Sequence, residues 1–176
     1  MTAGWQTLLI AALSLAASLP AARAIDVSGV YENSGSVASG DSPQTTGTVS
    51  LQGLLGLEFD FALANTRHAQ TSRVEVTQTG TLFRIVCREA GDAVAWSGQW
   101  KTGEGYAAEN GQVRLVFRSK RHEPDGFFFL LSTAREGQLL VVEVQRVTPT
   151  WFGPVVKPMG LFVFHRVADR PGQSSG

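Results

Sequence analysis

Hydrophobic residues recur mostly at every second position in this chain, the period of a strand with one buried and one wetter face. The pattern opens over residues 27–33, and a run rich in Ser, Gly and Thr over 34–47 interrupts it as a loop. Over residues 48–64 the alternation is cleanest in the second half, where Leu57, Phe59, Phe61 and Leu63 stand against Glu58, Asp60 and Ala62. This predicts a strand, with Gly53 and Gly56 marking a bulge or bend midway. Further strands are expected over 72–78, 81–88, 93–101, 112–119, 127–135, 138–148 and 160–167. Most are separated by turn signals such as Asn110-Gly111 and Pro124-Asp125-Gly126. No stretch after the N-terminal segment has convincing helical periodicity, and residues 62–70 hold at most a turn of helix.

Eight or nine strands joined by short turns pair with their sequence neighbours, giving an antiparallel meander. Closing into a barrel removes the edges of such a meander. The expected fold is therefore all-β: an antiparallel up-and-down barrel of about eight strands over residues 25–168, with a two-sheet sandwich as the rival. A barrel of that size is filled by side chains or holds one small ligand.

Gly29-Val30-Tyr31 on the first strand, the sequential run of strands and Arg166 on the last resemble the lipocalin and calycin-type barrels. In lipocalins the first strand carries Gly-x-Trp, and an Arg from the last strand packs over that Trp at the closed end. The resemblance implies that Tyr31, in the place of the Trp, and Arg166 close one end of a lipocalin-like barrel. A guanidinium over an aromatic face contributes roughly 0.5–2 kcal/mol. A family of bacterial exported proteins built on such a barrel fits the same residues.

The N-terminus changes where this domain is expected to act. Residues 8–19 are uncharged and rich in Leu and Ala, and Ala22-Arg23-Ala24 matches the small-x-small cleavage pattern of a secretory signal. As a helix this run spans roughly 20 Å, short of the ~30 Å hydrocarbon core. The n-region before it holds no Lys or Arg. Residues 1–24 are thus expected to be a cleaved signal peptide, placing the protein in the periplasm or outside the cell. No other apolar stretch is long enough to span a membrane, and residues 169–176 are expected to be a disordered tail.

The whole chain carries 15 basic and 15 acidic residues. Loss of Arg23 leaves 14 against 15, a net charge of −1, which excludes the basic surface of a nucleic-acid binder. Cys87 is the single cysteine, so no internal disulfide forms. Its parity with Phe83 and Ile85 predicts a buried thiol.

His68, His122 and His165 match no zinc spacing, and no metal or cofactor is expected. Glu58 and Asp60 are expected on the outer, wet face of their strand rather than as a catalytic pair, and no nucleophile elbow is present. The chain is not expected to be an enzyme. Aromatic residues are more informative. Phe59, Phe61, Trp96, Trp100, Phe117 and Phe129 are expected to face inward, where they would line any cavity and favour an apolar small molecule or lipid. Residues 127–131 are apolar on both faces, and residues 148–160 form a long Pro-rich connection carrying Trp151 and Phe152. That connection is expected to pack over one end of the barrel or to act as a lid or recognition loop.

Two functional readings follow. One is an exported small barrel binding an apolar molecule or lipid in its interior. The other is a structural or interaction module of the cell envelope, with a filled barrel that docks through residues 127–131 or the Trp151 loop.

Overall fold

Alternating residues do become strands over most of the chain. The structure, a computed structural model, describes residues 25–39, 47–109, 111–118 and 126–167. The expected signal peptide, the expected tail and the turn containing His122 lie outside the described residues. The elements are β1 (Gly29–Ser39), β2 (Thr48–Ser50), α1 (Leu51–Leu55), α2 (Phe61–Arg67), β3 (Thr71–Gln78), β4 (Leu82–Glu89) and β5 (Val94–Lys101). They continue as β6 (Tyr106–Glu109), β7 (Gln112–Arg118), β8 (Gly126–Ala134), β9 (Leu139–Thr150) and β10 (Gly153–Arg166).

All these strands join one antiparallel sheet in the order β5-β4-β3-β1-β10-β9-β8-β7-β6, with β2 paired to β1 off this path. The first and last strands lie side by side at its centre. The ends of the path are β5 and β6, which the chain connects directly through residues 102–105. Nine strands laid flat at ~4.8 Å spacing would hold those ends nearly 40 Å apart. The five residue steps from Lys101 to Tyr106 reach about 17 Å at most. The sheet must therefore curl, and its concave face holds the core: Tyr31, Val74, Phe83, Ile85, Leu115, Phe129, Val142 and Phe164 are all fully buried.

The curl stops short of the expected barrel: the sheet is not closed. Between β5 and the β6 region there is a single isolated bridge, Thr102↔Tyr106, and no ladder. Gly103 and Gly105, at φ of 80° and 111°, turn the chain sharply, and the four residues of β6 pair with β7 instead. Side chains cover the seam instead. The Trp100 ring of β5 meets Phe117 of β7 at 5.1 Å, and the Tyr106 hydroxyl donates to the Thr79 carbonyl at 3.0 Å. The described residues hold ten strands where about eight were expected, and they form one sheet rather than the two of a sandwich.

Residues 48–64 are the main departure from the expected elements. Only Thr48–Ser50 is strand, and two short helices follow. Ser50 caps α1 by accepting from Gly53 N at 3.1 Å, and Asp60 caps α2 by accepting from Leu63 N at 3.1 Å. Leu57 takes φ of 63°, which no strand accommodates. On α2 the buried residues are Phe61 and Ala64, three apart on one helical face, while Leu63 is exposed. The turn of helix allowed for residues 62–70 is thus a real, slightly earlier helix. Glu58 and Asp60 accordingly sit on no strand face: one lies between the helices and the other is a cap.

Candidate functional site

The residues expected to line a cavity are all brought to the core, largely against one another. Trp96, Gly98 and Trp100 stand opposite Cys87, Ile85 and Phe83 on the concave face of β5 and β4. The two indoles meet over Gly98, where an added Cβ would lie 2.6 Å from Trp100 and 2.7 Å from Trp96. From Trp100 the row continues to Phe117 at 5.1 Å and then to Phe129 at 4.5 Å. Phe59 and Phe61 come from the helical segment, not from one strand. Phe59 packs on Phe127 at 5.1 Å and Phe61 edge-on to Phe162 at 5.5 Å. Tilted and edge contacts at these distances are the preferred aromatic geometries. In β8, Phe127, Phe129 and Leu131 face inward and are buried, while Phe128 faces out beneath the Arg114 guanidinium at 5.6 Å.

Tyr31 and Arg166 are register partners on β1 and β10. The Tyr31 ring is fully buried and its hydroxyl donates to the Val27 carbonyl at 2.9 Å. Burial raises its pKa, with the Arg166 charge acting in the opposite direction. The guanidinium itself lies over Gly29, 3.0 Å from where a Cβ would stand. This rung sits in the middle of the sheet, so the seam that remains open is elsewhere, between β5 and β6.

A polar cleft of about 460 Å³ opens beside β1, β2 and α2, lined among others by Glu32, Ser34, Asn65, His68 and Ser72. Several of its polar side chains are bonded within the protein. Asn33 Oδ1 accepts from Ser50 Oγ at 3.2 Å and Gln52 N at 2.9 Å, and its Nδ2 donates to the His68 carbonyl at 3.3 Å. The Thr71 hydroxyl donates to Gln52 Oε1, and Asn65 Nδ2 donates to the Thr48 carbonyl at 2.6 Å. Glu58 joins Arg67 at 2.8 Å and His68 at 3.0 Å, which fastens α2 to the loop before it. His165 is exposed on β10. Among the described residues no group of three or more His, Cys, Asp or Glu side chains is placed to hold a metal ion. Burial pushes the Cys87 thiol up to about 12, so it stays protonated and is a poor nucleophile.

The remaining site is the Pro-rich segment, which is a β-hairpin rather than a loop. The ladder between β9 and β10 continues from Leu139↔His165 out to Thr150↔Gly153. It runs past the last described pairings with the neighbouring strands, Gly126↔Val147 on one side and Ser39↔Leu161 on the other. Among the described residues the outer part pairs only within itself, as an arm. Trp151 and Phe152 form its turn, closed by Gly153 at φ of 111°, the place a bulge glycine takes after a hairpin turn. The Thr150 hydroxyl donates to the Gly153 carbonyl at 2.5 Å across that turn. Both tip rings are 102% exposed, with Val155 at 55% and Val156 at 49% behind them.

Neither a protein-family model, a curated protein nor a solved structure matches the chain.

The geometry alone thus ranks the sites. The concave face is occupied by its own rings, and several polar side chains of the cleft wall are already bonded within the protein. The arm presents two large aromatic side chains entirely to solvent, on a backbone already ordered by cross-strand pairing. The sequence pointed to a connection packed over one end of the barrel or serving as a lid or recognition loop, whereas Trp151 and Phe152 stand exposed at the turn of a hairpin. The available signal was the pair of β-branched flanks, Val147-Thr148 and Val155-Val156, on either side of a turn ending in glycine.

Proposed function

We propose that this protein is an exported interaction module of the cell envelope that docks through the tip of the β9–β10 arm. The observation that carries this is the complete exposure of Trp151 and Phe152 at the end of a hydrogen-bonded hairpin. Exposed contiguous apolar surface marks interaction sites, and aromatic residues dominate the energetics of such contacts. Export is supported by the apolar run at residues 8–19 and the Ala22-Arg23-Ala24 site. Binding of an apolar small molecule inside the sheet draws support from the aromatic concave face. It ranks second because those rings stack on each other.

The test is fractionation of cells expressing the full chain or its Trp151→Ser/Phe152→Ser variant. The wild type is expected with the envelope fraction and the variant in the soluble extracytoplasmic fraction. Equal retention of both with the envelope refutes the role of the tip, and recovery of both in the cytoplasm refutes export.

A further inference from the structure

We infer that the surface met by the arm is the interface of an anionic lipid bilayer, entered by Trp151 and Phe152. This rests on the docking role proposed above and names its partner. Charge is the first reason. Residues 144–160 contain no Asp or Glu, and Lys157 stands exposed on β10 within the arm. An anionic surface complements that cation, since a basic residue near such a surface is attracted to it.

Spacing is the second. Lys157 is five residues from Phe152, about 17 Å along a strand. Interfacial elements bury their apolar side chains roughly 5–10 Å into the boundary between headgroups and acyl chains. With the tip at that depth, Lys157 stands roughly 7–12 Å above the boundary, about a Debye length or less from the lipid phosphates. Tryptophan is the residue type enriched at this level of a bilayer, and Val155 and Val156 extend the apolar surface behind the tip.

The third reason separates lipid from a protein that would add a strand. Pro149 and Pro154 face each other across the arm, and Pro158 follows. Each lacks the amide hydrogen that an incoming strand would need, so the edges of the arm are blocked at these positions. What the arm offers is its side chains.

The experiment uses protein recovered from cells expressing the full chain, its N-terminus read by mass spectrometry. It is sedimented with protein-free vesicles of phosphatidylcholine alone or mixed with phosphatidylglycerol. Wild type is expected to bind the mixed vesicles more tightly. Trp151→Ser/Phe152→Ser lowers that affinity more than about a hundredfold, the effect of keeping two aromatic side chains in water. Lys157→Gln lowers it about fivefold on anionic vesicles and leaves the neutral ones unaffected. Brominated acyl chains quench tryptophan emission in the wild type and do so less in Trp151→Phe.

Equal quenching in those two proteins would show Trp151 still in water and overturn the inference. So would absence of binding to every protein-free vesicle. If tip-dependent association with the cell envelope persists in that case, the docking role stands with a protein partner.

Discussion

Replacing Gly35 with alanine tests how tightly the two central strands are fitted. Gly35 is buried on β1 opposite Phe164 of β10. A Cβ built there falls 2.4 Å from Cδ1 and Cε1 of Phe164 and 2.5 Å from the Val163 carbonyl oxygen. Ordinary contact begins near 3.4 Å, so β1 and β10 must part by about an ångström. Rotating the ring gives little relief: Phe164 is fully buried, and the carbonyl belongs to backbone. Overpacking a core typically costs about 1–3 kcal/mol, and a site that must move both ring and backbone belongs at the upper end, about 3 kcal/mol.

Urea unfolding followed by tryptophan emission reads this directly. With a slope of about 2 kcal/mol per molar, the Gly35→Ala midpoint should fall by roughly 1.5 M. Gly80→Ala is the reference, because nothing lies within 4 Å of its Cβ position. It is expected within about 0.5 kcal/mol of wild type, or slightly more stable through the reduced entropy of the unfolded chain. A Gly35→Ala midpoint indistinguishable from that of Gly80→Ala would refute the close approach of β1 and β10.

Asp60→Ala removes the cap of α2 and should cost about 1 kcal/mol by the same assay; an unchanged midpoint would mean that Asp60 caps nothing. The Cys87 thiol should resist a disulfide reagent at pH 8 in the folded protein and react on unfolding, and rapid labelling of native protein would contradict its burial. Stability should also fall in alkali. Below about pH 9 both states hold the Cys87 proton; above it the unfolded chain releases its proton while the folded one keeps it up to about 12. The loss by pH 10.5 is therefore roughly 2 kcal/mol, and Cys87→Ala should lose correspondingly less between pH 8 and 10.5; equal losses would refute the shift.

What the sequence made legible was local and periodic. In β4, Phe83, Ile85 and Cys87 alternate with Arg84 and are buried at 0%, as the pattern required. The same rule failed over residues 57–63 because two unlike environments produced one alternation: Leu57 and Phe59 lie in a connection, and Phe61 begins a helix. Asp60 immediately before an apolar run was the competing signal, and a cap is worth more locally than a seven-residue period. The β9–β10 arm was hidden by Pro149, Pro154 and Pro158, which read as loop residues until their place in the β9–β10 ladder is known. Closure was not legible at all. It depends on whether β5 matches β6 in length and direction, a property of neither strand alone.

The candidate site differs from the rest of the molecule in how its exposure is supported. Two aromatic rings held in water invite self-association, and a flexible loop carrying them would also lose rotamer and backbone freedom on docking. Here the backbone cost is already met within the domain. The tip is the end of the same antiparallel ladder that, further down, buries Leu140, Val142, Phe162 and Phe164 in the core. Prolines restrict φ along the arm and remove the edge donors at positions 149, 154 and 158, which disfavours pairing of one arm with another. An element pre-ordered in this way surrenders little entropy on contact, so most of the apolar surface it buries is realised as affinity. In the proposed docking, Trp151 and Phe152 are the binding determinant and the β9–β10 ladder sets their orientation. Shortening the arm by deleting opposed pairs, with the tip retained, should therefore weaken docking even though both rings remain exposed.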